Sequence, residues 1–161
     1  MKRYVDGFLF DKEGDWVALI KKNRPEWQAG KLNGIGGKVE PGELAEEAMP
    51  REFVEETGRM TSGWKQFLVL HESNGDIVHF FYLFSSDDIY GLESTTDEFV
   101  STYPTHVDLP NVLPNLRWLI PMALSFGRGE RADSFELFEK GAGDHRTNWM
   151  STEMSKNLCP P

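Results

Sequence analysis

The chain has 161 residues, 39% of them hydrophobic and 27% charged, with a formal net charge of −9 and a single cysteine, Cys159. That is enough sequence for one domain with a real core, while the lone cysteine rules out an internal disulfide and the acidic balance disfavours a basic stripe that grips nucleic acid. No apolar run approaches the ~20 residues of a membrane span, and Asp6 stands where a signal peptide carries its apolar stretch, so a cytoplasmic protein without a membrane partner is expected.

Residues 3–10 and 16–21 read as strands around the turn Asp11-Lys12-Glu13-Gly14-Asp15. Residues 24–37 carry Pro25, Gly30, Gly34, Gly36 and Gly37 and read as loop. After Pro41-Gly42 the pattern predicts a helix from about Glu43 to Thr57, stopped by Gly58. Strands are expected over 64–72 and 77–84, joined by Ser73-Asn74-Gly75-Asp76, whose Asn-Gly is a hairpin signal. Residues 85–110 read as mostly polar loop, 111–126 as an apolar helix despite Pro114 and Pro121, and 134–139 as a last strand. From Gly141 onward the composition turns to Gly, Asn, Ser and Thr, so residues 1–140 are expected to form the domain and 141–161 a loosely held tail.

The informative segment is the helix after Gly37. At about 100° per residue, Glu52, Glu55 and Glu56 fall within an arc of roughly 100°, and Ala45 and Ala48 project into the same arc. Three carboxylates crowded beside small apolar residues repel one another and lose hydration unless a cation compensates. Hard oxygen ligands of this kind suit Mg²⁺, with Mn²⁺ as a substitute. The adjacent face holds Glu43, Glu47 and Arg51, with Glu47 and Arg51 spaced as an i,i+4 pair, and reads as scaffolding between helix and loop. A solvated acidic face is the ordinary reading of a Glu-rich helix. Here Gly36 and Gly37 before it and Gly58 after it allow close backbone approach and a sharp exit, which favours a built site.

The whole segment resembles the Nudix signature, G-x5-E-x7-R-E-U-x-E-E-x-G-U with U a bulky apolar residue. Gly37, Glu43, Arg51, Glu52, Glu55, Glu56 and Gly58 match, with Phe53 at the first U. Identities at seven fixed positions coincide by chance on the order of once in 10⁸ to 10⁹ starts, so the match is specific. Arg59 replaces the final apolar residue, and Pro50 lies inside the helix, where its ring opposes the Glu46 carbonyl.

The resemblance implies an α/β class, Nudix-type α/β/α sandwich with a mixed β-sheet and a catalytic loop-helix-loop, covering roughly residues 1–140. It implies metal-dependent hydrolysis of a nucleoside diphosphate linked to another group, hence a small-molecule nucleotide partner. The metal would be held by Glu52, Glu55 and Glu56 with the carbonyl of Gly37, and Arg51 would belong to the same catalytic turn. Family members draw a further glutamate from a later loop as base or ligand. Glu98 is the candidate, ahead of Asp97, and a solvated loop acid is the alternative for either.

The stretch from Trp27 to Lys38 is similar to the MutT-like branch, which hydrolyses oxidised purine nucleoside triphosphates. That likeness implies that Asn33 reads the base, that Trp27 flanks the pocket and that Lys38 joins the substrate-binding residues. Leu113 to Pro121 resembles a second base-contacting segment. Acids often stand there where this chain has Asn115 and Leu116, so Asn115 either reads a different base edge or caps a helix. Trp27 and Trp118 are either stacking platforms or packing residues. The chain lacks the downstream Ser-Gln-Pro-Trp of the NADH branch, and Ser73-Asn74 stands where the ADP-ribose branch tends to have proline. A non-catalytic nucleotide sensor or interaction module is the alternative class, against which stands the full set of signature glutamates. A diphosphatase for another nucleotide such as ADP-ribose also remains open, as do monomer and homodimer.

Overall fold

The computed structural model describes residues 1–106, 108–131 and 133–139, so the expected tail at 141–161 lies outside the described residues. In chain order the elements are β1 (Arg3–Phe10), β2 (Trp16–Lys21), β3 (Leu32–Asn33), α1 (Ala45–Thr57), β4 (Lys65–His71), β5 (Ile77–Phe84), α2 (Ser86–Ile89), β6 (Phe99–Pro104), α3 (Leu116–Gly127) and β7 (Phe135–Phe138). They form a mixed sheet in the order β3-β2-β1-β5-β4-β7, with β6 on the outer edge of β2. β1 and β5 run parallel, as do β4 and β7, and the other pairs are antiparallel.

Period-two alternation along the strands makes the layers. Phe8 and Phe10 of β1 enter one apolar cluster with Val17, Leu19 and Phe67, covered by Leu116, Leu119, Ile120 and Ala123 of α3. Val5 and Leu9 enter the other, with Ala18, Ile35 and Phe81, covered by Ala45, Ala48, Met49 and Phe53 of α1. The result is an α/β/α sandwich. Among the described residues no helix is long and apolar enough to cross a membrane.

The feature that positions the site is a divergence. β2 pairs with β1 only at Leu9–Ala18 and Phe10–Val17, then turns away to pair with β3 at Ile20 and Lys21, while β6 runs along its other edge throughout. The vacated edge of β1 is taken by the glycine-rich loop. Val5 N donates to Gly37 O at 2.9 Å, Gly7 N to Ile35 O at 2.9 Å, and Ile35 N to Gly7 O at 3.0 Å. A Cβ on Gly36 would fall 2.1 Å from Val5 O, so only glycine lets the loop lie this close.

Several boundaries differ from the sequence reading. The polar stretch 85–110 contains α2 and all of β6, which pairs with β2 along its length from Trp16–Pro104 to Lys21–Phe99. As an edge strand with one well-buried side chain, Val100, β6 has too little apolar periodicity to stand out. Residues 24–37 hold a short 3-10 turn, Glu26–Gln28, and the two residues of β3. α3 begins at Leu116, five residues later than expected, because residues 111–113 are tied to β3 instead: Leu32 N donates to Asn111 O and Leu113 N to Leu32 O. Trp64 stands outside β4 and packs on Phe53, ring centroids 5.2 Å apart. α1 begins at Ala45, runs through Pro50 without a break, and ends at Gly58, whose φ of 66° is left-handed. The pairing of Glu47 with Arg51 is not formed: Glu47 reaches back to accept from Leu44 N at 3.0 Å, closing the start of α1.

These contacts set two different costs. Gly36→Ala drives a Cβ into backbone atoms of β1 and is expected to lower stability by about 3 kcal/mol or more. Gly58→Ala only places alanine in a left-handed cap and should cost about 1–2 kcal/mol. Urea unfolding of both variants checks the order; equal losses would contradict the close approach of loop and strand.

Candidate active site

Arg51 organises the acidic helix. Its Nε donates to Glu43 Oε1 at 2.7 Å and its Nη2 to Glu43 Oε2 at 2.8 Å and to the Lys38 carbonyl at 3.0 Å. Its Nη1 is shared between Glu52 Oε1 at 2.9 Å and Glu55 Oε1 at 3.0 Å. The planar guanidinium thus joins loop, helix start and two site carboxylates at once, a geometry lysine cannot reproduce. The fork holds the Glu43 carboxyl down at about 2, and the acids around Arg51 raise its own basicity.

Glu52 is buried and lies against Gly37, where a Cβ would sit 2.2 Å from Glu52 Oε2. The carboxylate therefore fills the space a side chain at position 37 would need. Burial pushes Glu52 above the usual carboxylate range, Arg51 opposes this, and the charges of Glu55 and Glu56 add to the upward push. Glu55 is exposed, and Glu56 accepts from Thr96 Oγ1 at 2.8 Å. Thr95 Oγ1 also donates to the Glu55 carbonyl, so the 95–98 loop is docked on the end of α1.

Glu98 belongs to that loop, but its side chain points elsewhere. It is buried, ion-paired to Lys22, and accepts from Asn23 N at 2.7 Å. Asp97 is exposed and pairs with Arg24 at 3.0 Å. Glu98 and the three helix carboxylates are therefore not gathered into one cluster.

A cleft of about 420 Å³ opens on the α3 side of the sheet, where Tyr4, Asp6, Leu70, Val78 and Phe80 form its floor. Asn33, Asn115, Trp27, Lys38 and Gly37 all line it. Glu52, Glu55, Glu56 and Glu98 do not, so Gly37 is the point at which cleft and acidic helix meet. Asn115 occupies the first position before α3, yet its side chain makes no capping hydrogen bond, which removes the cap as its explanation. Trp27 is exposed, whereas Trp118 packs against the apolar cluster under α3.

The sequence reading missed two cleft residues. Lys22 stands at the cleft wall beside Glu98, one of several unremarkable lysines in the sequence. Asp6 is 7% exposed in the middle of β1, and burial drives its carboxyl up to about 7, with the Lys22 ammonium and the Asn33 amide pulling the other way. An acid amid Tyr4, Val5, Phe8, Leu9 and Phe10 was the visible signal.

Whether this donor set suits a divalent cation can be judged from its chemistry. Among the described residues no three acidic or metal-binding side chains already converge. Arg51 holds Glu52 and Glu55, and Thr96 holds Glu56. The groups themselves fit: three carboxylates on one helix face, one of them buried and further destabilised by the charge of the other two, packed against Gly37, whose carbonyl also accepts from Val5 N.

The comparisons bear on the family and the fold. The sequence profile of the NUDIX domain matches residues 1–121. No curated protein sequence matches the chain. A MutT structure from work on Aliivibrio salmonicida and Vibrio cholerae superposes with a TM-score of 0.57 at 21% identity, covering 78% of this chain and 98% of that one. A MutT NUDIX hydrolase from Burkholderia pseudomallei gives 0.61 at 19% identity, covering 75% and 96%. An ADP-ribose pyrophosphatase from Streptococcus suis gives 0.60 at 14% identity, covering 86% and 98%. At these identities the likeness is one of fold.

Two expectations follow from the buried acids. Glu98→Gln removes the charge facing Lys22 and should cost about 2 kcal/mol or more, whereas Asp97→Asn at the surface should stay within about 0.5 kcal/mol. Chemical denaturation reads both, and equal effects would mean that the Lys22 pair is not formed in solution. Asp6 gives a pH signature. Its folded value, about 7, lies above the unfolded 3.8, so the folded state keeps a proton the unfolded chain has lost, and stability falls as pH rises between them. Asp6→Asn should flatten that fall, gaining on the order of 2–4 kcal/mol at pH 8 relative to pH 4. Parallel slopes for the two proteins would show that Asp6 ionises normally.

Proposed function

The chain belongs to the NUDIX domain family, and from that premise we propose that it hydrolyses a diphosphate bond in a nucleoside triphosphate or related nucleoside diphosphate derivative, its substrate class being oxidised purine nucleotides cut to monophosphate and pyrophosphate. The observation that carries the reading is the contact of Glu52 with Gly37, which sets the acidic helix against the loop lining the cleft. A cleft of about 420 Å³ is the right order of size for a nucleotide base and sugar, with phosphates running toward that contact.

In this reading Glu52, Glu55 and Glu56, with the Gly37 carbonyl, hold Mg²⁺, or Mn²⁺ in its place. When bound, the cation supplies positive charge that neutralises the phosphates and activates water. The remaining chemistry falls to the chain itself. Arg51 keeps Glu52 and Glu55 at fixed positions and anchors them to Glu43, so their charges are preorganised before substrate arrives. Lys38, exposed at the end of the loop, meets phosphate charge. Asn33 and Asn115 reach the base from two walls of the cleft, and Trp27 offers an exposed ring at its mouth. Glu98 is the further carboxylate of the reading. Its loop is docked on α1 through Thr95 and Thr96, while its side chain is engaged by Lys22.

The test is turnover of purified protein on normal and oxidised nucleoside triphosphates, dinucleotides and ADP-ribose, with Mg²⁺ or with excess chelator. Activity should require the cation, and Glu52→Gln and Glu56→Gln should each lower kcat by about a hundredfold or more while melting stays cooperative. Turnover in chelator, or near-wild-type rates in both variants, would place the catalytic face elsewhere.

A further inference from the structure

Arg51 fixes two of the three helix carboxylates. It takes Oε1 of Glu52 and Oε1 of Glu55, and the second oxygen of each makes no hydrogen bond among the described residues. Glu56 lies outside that fork, and its anchor comes from another element. Thr96 Oγ1, on the loop before β6, donates to Glu56 Oε2 at 2.8 Å and leaves Oε1 in the same condition as the other two oxygens.

The loop sets the direction of that bond. A hydroxyl has one proton to give and lone pairs with which to accept. Thr96 Oγ1 accepts from Glu98 N at 3.2 Å, so its proton is left for the Glu56 carboxylate. The loop is itself held in place. Thr95 N donates to the Glu56 carbonyl at 3.1 Å and Thr95 Oγ1 to the Glu55 carbonyl, which seats residues 95 and 96 on the last turn of α1. Behind them Glu98 is buried, ion-paired to Lys22 and accepting from Asn23 N at 2.7 Å. Thr96 is exposed and fills no place in the core, so packing does not account for its contact with Glu56.

A glutamate on a helix surface has several rotamers, and a cation that needs one of them bears the entropy of choosing it. A hydrogen bond to the oxygen that does not bind metal fixes the ligand beforehand, and such outer partners strengthen metal binding. We propose that Thr96 is a positioning residue: its hydroxyl holds Glu56 by Oε2, leaves Oε1 for the divalent cation, and so does for Glu56 what Arg51 does for Glu52 and Glu55. This rests on the reading of the three glutamates as metal ligands.

Mn²⁺ binding by the nucleotide-free protein, followed by electron paramagnetic resonance of the unbound ion, reads this without turnover. Thr96→Val keeps the shape of the side chain, removes the hydroxyl and should weaken Mn²⁺ by about tenfold, whereas Thr96→Ser should stay within about twofold of wild type. Both variants change an exposed position, and both should keep cooperative unfolding in urea without metal. Added to Glu56→Gln, Thr96→Val should weaken binding no further, because its effect passes through that carboxylate. Wild-type affinity in Thr96→Val, with Glu56→Gln weakened, overturns the proposal and leaves the metal reading standing. The same weakening with and without the Glu56 carboxylate, or failure of serine to restore binding, overturns it too, since a disturbed loop would do that. Absence of Mn²⁺ binding in wild type, or no loss in Glu56→Gln, removes the metal reading and the proposal together.

Discussion

Val5 and Gly7 of β1 exchange backbone hydrogen bonds with Ile35 and Gly37, and the site takes its shape from that short ladder. It exists because β2 leaves β1 after two residue pairs and opens an edge in the middle of the sheet. An open edge with unpaired N–H and C=O groups is costly unless something covers it. The glycine-rich loop does so, and in lying flat it presents Gly37 to Glu52 on one side and Gly34 to Asp6 on the other. One backbone ladder therefore places the acidic helix and the floor of the cleft relative to each other.

The electrostatics follow from crowding acids around that loop. Glu43, Glu52 and Glu55 are all held by Arg51, whose fork spreads one positive charge over three carboxylates in fixed directions. Glu43, gripped by two nitrogens, is strongly acidic; Glu52, buried and facing two like charges, is pushed the other way. Two carboxylates on one guanidinium thus differ by environment alone. The one held down anchors the helix to its loop, and the one pushed up has the most to gain from a cation. Lys22 and Glu98 repeat the theme at the cleft wall, where Lys22 is paired to Glu98 and acts on Asp6 without forming an ion pair with it.

The acidic helix was legible because its information is local. Glu52, Glu55 and Glu56 share a helix face by spacing alone, and the glycines at 37 and 58 mark where the helix is approached and where it ends. The same local reasoning failed for Glu47. Its distance from Arg51 suits a helical pair, but a free Leu44 N–H at the helix start competed for the carboxylate, and Arg51 was drawn to Glu43 across the turn. Spacing shows which contacts are possible; neighbours from outside the helix choose among them.

By itself the sequence determined the existence of strands β1 and β5, the acidic helix with its glycine boundaries, and the family to which they point. Only the tertiary structure decided which acids face one another. β6 took its place by pairing with β2, not through any apolar period of its own, and in doing so it carried Glu98 to Lys22. Asn115 does not cap α3 because its own backbone is already helical, φ −68° and ψ −25°, after a turn that starts at Leu113. Asp6 stood out in its strand, yet nothing local could say that it would be buried beside Asn33 with an unpaired oxygen. For Glu98 and Asp6 the reason is the same: hydrogen-bond partners and desolvation come from segments tens of residues away, and they exist only once the sheet has closed.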